Sequence, residues 1–118
     1  MRDHRKLEVF GLADSLAVLV YKCTKQFPDE EKYGLTSQLR RASVSVTANI
    51  IEGSAKISEA DFVRMLVIAY GSACELDYEL SLAARLGYLS DASYKALSDL
   101  SSRTCRALRG LINAVKAT

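Results

Sequence analysis

The chain has 118 residues, 49% apolar and 25% charged, a balance that fits a folded globular protein and excludes a disordered one. Its 16 lysines and arginines against 14 acidic residues leave a formal charge of +2, too small either to demand a nucleic acid partner or to exclude one. The length predicts one domain over residues 1–118, and no apolar run reaches the roughly 18 residues of a membrane span, so no membrane partner is expected.

Met1-Arg2-Asp3-His4-Arg5-Lys6 leads into an amphipathic segment interrupted by Glu8 and Asp14. That is unlike the unbroken apolar stretch of a signal peptide, and a cytoplasmic location is expected. Leu12, Leu16, Leu19 and Cys23 recur at helical spacing between about Leu7 and Gln26, with Phe10, Ala13 and Val20 widening the buried face. This predicts the first helix. The cluster from Phe27 to Gly34, with the single proline Pro28, predicts the break after it.

The second helix is predicted from about Leu35 to Ala55 and carries two apolar stripes. Leu35, Leu39, Ala42, Val46 and Ile50 fall on one side and Val44, Ala48, Ile51 and Ala55 on the other. The first stripe can face the chain's own core, so the second asks for another partner. Gln38, Arg41, Ser45, Asn49 and Glu52 form a polar ladder along one flank, three or four residues apart. Gly53 weakens the last turn.

Ser58 offers an N-cap, with Asp61 three residues on, for a third helix from about Glu59 to Leu86. Phe62, Leu66, Ala69, Ala73, Leu76, Leu80 and Ala83 trace its seam, and Val63, Val67, Tyr70 and Cys74 form a second apolar flank. Gly87 sits where a left-handed C-cap is wanted, with Tyr88 and Leu89 able to fold back. Ser90 or Asp91 then caps a fourth helix whose Leu97, Leu100, Leu108, Leu111 and Val115 share a face. Four helices joined by short turns predict an all-α, antiparallel, up-down-up-down four-helix bundle. The surplus apolar faces of the second and third helices predict self-association, with Val44, Ala48 and Ile51 in the interface.

The residues for catalysis are sparse. The only histidine, His4, is expected in a mobile N-terminal segment, and there is no Gly-rich phosphate loop, HExxH or GxSxG. The later helices lack histidine, which removes the Glu/His pattern of a di-iron bundle. Cys23, Cys74 and Cys105 are scattered without a CxxC pair and read as small apolar helix residues. No enzyme activity, cofactor or metal is therefore expected.

Glu52 and Glu75 border apolar seams and are the carboxylates expected to be partly buried. They could form a proton or metal site. Alternatively, Gln38, Arg41, Asn49, Glu52 and Glu75 could be a polar network that fixes helix register or subunit docking, which is the preferred reading. Asn49 can reach Glu52 at i+3, whereas Arg41 lies three turns away. Arg103, Arg106 and Arg109, with Lys116 beyond them, could lie along phosphates or form an ordinary solvated face. A ring of subunits would repeat that stripe by symmetry.

From Gly34 to Ala42, again over Ala48-Asn49-Ile50-Ile51-Glu52-Gly53, and through Phe62, Arg64, Leu66, Ala69, Gly71, Ser72, Glu75 and Leu76, the chain resembles the four-helix bundle family named after 23S rRNA intervening sequences. The Leu86-Gly87-Tyr88-Leu89 turn and the opening Arg5-Lys6-Leu7-Glu8-Val9-Phe10 extend the resemblance to almost the whole chain. Val46-Thr47-Ala48-Asn49 departs from it, because relatives commonly carry proline just before this asparagine and this helix loses that cause of kinking. The resemblance implies a cytoplasmic bacterial protein that assembles as a homopentameric ring, related in fold to retroelement accessory proteins that bind reverse transcriptase and nucleic acid. The expected function is a non-enzymatic binding or scaffolding module for RNA or a reverse transcriptase, or else a protein–protein adaptor without nucleic acid.

Overall fold

The computed structural model describes residues 1–118 and contains four α-helices and no strands: α1 (Glu8–Thr24), α2 (Leu35–Ser54), α3 (Glu59–Arg85) and α4 (Asp91–Lys116). The molecule measures 45 × 23 × 20 Å. Its long axis is close to the roughly 40 Å that the 27 residues of α3 span at about 1.5 Å each.

Local chemistry fixes the helix ends. Ser58 Oγ accepts from the Asp61 amide at 3.1 Å, and Ser90 Oγ accepts from the Ser93 amide at 3.1 Å, so two hydroxyls cap α3 and α4. Gly87 has φ +81°, and the Gly87 and Tyr88 amides donate to the Ala84 and Ala83 carbonyls, closing α3 with a Schellman motif. α2 has no capping side chain at Gly34 itself. Instead Glu31 Oε1 accepts from the Leu35 amide at 3.0 Å, while its Oε2 accepts from the Tyr88 hydroxyl at 2.9 Å. One carboxylate thereby caps α2 and ties it to the α3–α4 turn.

The apolar seams meet in two clusters along the bundle. Leu16, Val20, Phe27, Leu35, Leu39, Leu76, Leu80, Leu89 and Leu97 fill one end. Val9, Ala13, Val46, Ile50, Phe62, Leu66, Ala69, Leu108 and Val115 fill the other. At their boundary with α3, late residues of α2 meet early ones: Gly53 lies against Phe62 and Met65, and Ser45 bonds Ser72 at 2.9 Å. Between α3 and α4, Asp77 accepts from Ser101 and Tyr70 from Arg109, both at 2.9 Å. α1 and α3 each contact α4, whereas α2 does not touch it.

Two expectations need correction. The N-terminal segment is anchored: the Arg2 amide donates to the Ser54 carbonyl at 2.7 Å, its guanidinium lies 4.1 Å from the Phe62 ring centroid, and Glu59 pairs with it at 2.7 Å. His4, in a 3₁₀ turn, packs edge-on against Phe10. The second flank of α3 is also not wholly free, because Val63 and Tyr70 are half-buried against the second cluster, leaving Val67 and Cys74 exposed.

Gly53 serves helix packing rather than helix weakening. A Cβ there would stand 2.9 Å from Met65 Cβ, which is fixed to the α3 backbone, and 3.3 Å from Phe62 Cδ1, whose ring is fully buried. Gly53→Ala should therefore destabilise the fold by about 1–3 kcal/mol in urea unfolding, against the roughly 1 kcal/mol gain that helix propensity alone gives. A more stable variant would show that the two helices part without cost.

Candidate functional site

The outer face of α2 is the most distinctive surface. Val44 is 45% and Ile51 40% exposed, and Ala48 and Ala55 are exposed between and beyond them. Their 4-3-4 spacing makes one straight stripe opposite the buried Leu39, Val46 and Ile50. The stripe lies on a helix already packed on α1 and α3, so nothing within the chain covers it.

The polar ladder lies along the α3 side of this stripe. Gln38, Arg41, Ala42 and Ser45 of α2 face Ser72 and Glu75 of α3 across a groove of about 400 Å³. Asn49 Nδ2 donates back to the Ser45 carbonyl at 2.7 Å and to Ser45 Oγ at 3.1 Å. A rung therefore runs Asn49–Ser45–Ser72 across the two helices. Arg41 turns to Ser37 at 3.2 Å and also lines a neighbouring groove of about 680 Å³ with Tyr21, Tyr33, Arg40 and Val44.

The structure does not assemble the five expected polar residues into one network. Gln38, Arg41 and Glu75 share the groove, Asn49 joins through Ser45, and Glu52 stands apart and exposed. Neither Glu52 nor Glu75 is buried, and Asn49 bonds Ser45 rather than Glu52. The physical reason is that a helical i−4 carbonyl lies within easier reach of the asparagine than a carboxylate that prefers water. No group of three or more His, Cys, Asp or Glu side chains is placed to hold a metal ion.

The buried carboxylate is Glu79, one turn beyond Glu75 on α3 and only 4% exposed. Its Oε1 has no hydrogen-bond partner. Burial, reinforced by the charge and contact of Glu75, raises Glu79 from the ordinary value of 4.5 to about 7. A protonated Glu79 can donate to the Glu75 carboxylate, so this pair retains a proton where most carboxylates have lost theirs. The sequence carried a signal for it: Glu75 and Glu79 stand at i,i+4 beside the Leu76–Leu80 seam, a spacing that brings like charges together.

On α4, Arg103, Arg106, Arg109 and Lys116 are all exposed. Arg103 Nη1 approaches Asp99 at 3.5 Å, and Arg109 donates to the Tyr70 hydroxyl at 2.9 Å with its guanidinium 5.8 Å from that ring's centroid. Arg106 and Lys116 have no ion-pair partner within the chain.

Comparison with known proteins places these features in context. The model of the family described as 23S rRNA-intervening sequence protein matches residues 5–110. A crystal structure of a protein of unknown function from the S23 ribosomal protein family of Bacteroides thetaiotaomicron superposes with TM-score 0.80 at 27% identity, covering 89% of this chain and 95% of that one. No curated protein matches.

Glu79 gives the stability of the fold a pH dependence of definite sign. Its folded value lies above its unfolded one, so its contribution to stability is full below about pH 4.5 and is lost as pH rises through about 7. The amount lost is at most about 3 kcal/mol. Glu79→Gln, neutral and nearly isosteric, should flatten the stability profile measured by denaturant unfolding between about pH 5 and 8, and should raise stability at the upper end. An unaltered profile would assign the slope to another group.

Proposed function

From the premise that the chain belongs to the family of 23S rRNA-intervening sequence proteins, we propose that it is a non-enzymatic, homo-oligomeric helical module that binds RNA or an RNA-handling enzyme such as a reverse transcriptase. It acts in the cytoplasm. Its four helices run antiparallel, up-down-up-down, a reading supported by the reversed order of the contacts Gly53–Phe62 and Ser45–Ser72. The assembly is a pentameric ring, the state that the family resemblance implies.

The single observation that carries the reading is the uncovered Val44–Ala48–Ile51 stripe. An apolar 4-3-4 stripe on a helix whose opposite face is already buried is matched best by a second copy of the same chain, since closed homo-oligomers bury such faces by symmetry. The groove beside it, with Arg41, Ser45, Ser72 and Glu75, supplies polar partners at the edge of that contact and sets its register. The arginines of α4 then supply the charge for phosphate contact, repeated once per subunit.

A protein–protein adaptor without nucleic acid is the second reading. It is favoured by the engagement of Arg103 with Asp99 and of Arg109 with Tyr70, which leaves Arg106 as the least committed cation of the three.

Native mass spectrometry should show five copies of the chain, and Val44→Asp or Ile51→Asp should shift it to monomer while circular dichroism keeps the helix content. A retained oligomer in both variants would remove α2 from the interface. Binding to a structured RNA should weaken steeply with salt, and combined Arg103→Ala, Arg106→Ala and Arg109→Ala should lower both the affinity and the salt slope, the slope by about 1 for each phosphate no longer neutralised. Affinity that is unchanged moves the site off α4, and a partner that survives nuclease and high salt selects the adaptor.

A further inference from the structure

Two thiols occupy facing positions on α3 and α4, between two bonded rungs. On α3, Tyr70, Cys74 and Asp77 follow at spacings of four and three residues and share one flank. On α4, Ser101, Cys105 and Arg109 follow at spacings of four and do the same. Asp77 meets Ser101 at 2.9 Å on one side, and Tyr70 meets Arg109 at 2.9 Å on the other. The middle rung of this ladder is Cys74 opposite Cys105. The flanking bonds Asp77–Ser101 and Tyr70–Arg109 bracket this rung one turn to each side, which sets the two thiols across from each other.

We propose that Cys74 and Cys105 form an oxidative modification site, at which a low-molecular-weight disulfide converts the pair into a reversible α3–α4 disulfide. The backbone suits it. Ser101 of α4 is buried and its short side chain bonds Asp77 of α3 at 2.9 Å, so the two helices approach closely one turn from the thiols, as a disulfide's Cα separation of about 4.4–6.8 Å requires. Neither helix needs to unwind, because both thiols already lie on the shared flank.

The environments assign the order of events. Cys74 is exposed and Cys105 half-buried. Burial, then the nearby Cys74 and Asp77, push the Cys105 thiol up to about 11, which keeps it protonated and slow to open an attack. The Cys74 thiolate therefore attacks one sulfur of the incoming disulfide, forming a mixed disulfide and expelling one small thiolate. The Cys105 sulfur then attacks Cys74 Sγ, expelling the second small thiolate, and the two protons of the protein thiols pass to the two departing thiolates. Two protein thiols are oxidised by two electrons and one small disulfide is reduced to two thiols. The bridge closes the α3–α4 turn covalently and holds Tyr70 and Arg109, one turn away, in register.

The full chain incubated with oxidised glutathione should lose about 2 Da in intact mass with no retained adduct, and proteolysis should yield one peptide pair linked through Cys74 and Cys105. Its Tm should rise and return on reduction. Cys23, on α1 and packed against the other core cluster, should stay alkylatable throughout. Cys105→Ala should stop at a stable glutathione adduct on Cys74, and Cys74→Ser should react at least about tenfold more slowly. A wild-type protein that accumulates the Cys74 adduct without closing, that links between chains, or that oxidises as fast without Cys74 overturns the proposal.

Discussion

The contact of α2 with α3 at Gly53 is the constraint from which the rest of the packing follows. With no side chain at Gly53, the α2 backbone lies directly on Met65 and on Phe62, which is fully buried. A helix pair that touches this closely at one end has little freedom of rotation or translation along its length, because interiors are close-packed and a small slide is felt as overlap. The same corner receives the N-terminus, where Arg2 bonds the Ser54 carbonyl and covers the Phe62 ring. One glycine thus positions three segments of chain, and the presentation of the α2 outer face depends on it.

Further along the same helix pair, apolar packing gives way to polar groups. Ser45 meets Ser72, and beyond them lies Glu79, a buried carboxyl with an unsatisfied oxygen. A hydrophobic residue at that position would be at least as stable, since burying a carboxyl without a full set of partners costs free energy. A residue retained against that cost fits a role in register or docking, where a polar group penalises every alignment but one. Because Glu79 holds its proton up to about pH 7, a negative charge is added one turn beyond Glu75, at the end of the groove, only as pH rises through that value. An interface formed at the groove edge would feel that change.

The helices were readable from sequence because their signals were local. Periodic leucines, Ser58 and Ser90 at caps and Gly87 at a left-handed end each act within one turn, and each appears where the pattern placed it. The candidate site was legible only in part. The exposure of Val44 and Ile51 follows from the angular pattern of α2 alone. The polar ladder did not resolve in the same way, because which rungs bond depends on what α3 brings opposite: Ser72 for Ser45, nothing for Glu52. Glu79 had a signal within its own helix, the i,i+4 spacing from Glu75. The bond of Tyr70 to Arg109 and the Cys74–Cys105 rung, by contrast, were missed for the same reason as the ladder. Each gains its environment from the register between helices, a quantity no single helix's periodicity contains.

That register also separates the apolar stripe of α2 from the basic face of α4. α2 and α4 do not touch, and each packs on both α1 and α3, so they occupy diagonal positions. α4 therefore lies diagonally across the bundle from the α2 stripe, with Arg106, Lys116 and Cys74 exposed. Apolar area and positive charge would compete if they shared a face, since burying the arginines against a neighbouring subunit would require desolvating them. Set on diagonal helices, the exposed apolar stripe of α2 and the exposed cations of α4 are kept apart, and neither has to be desolvated to bury the other.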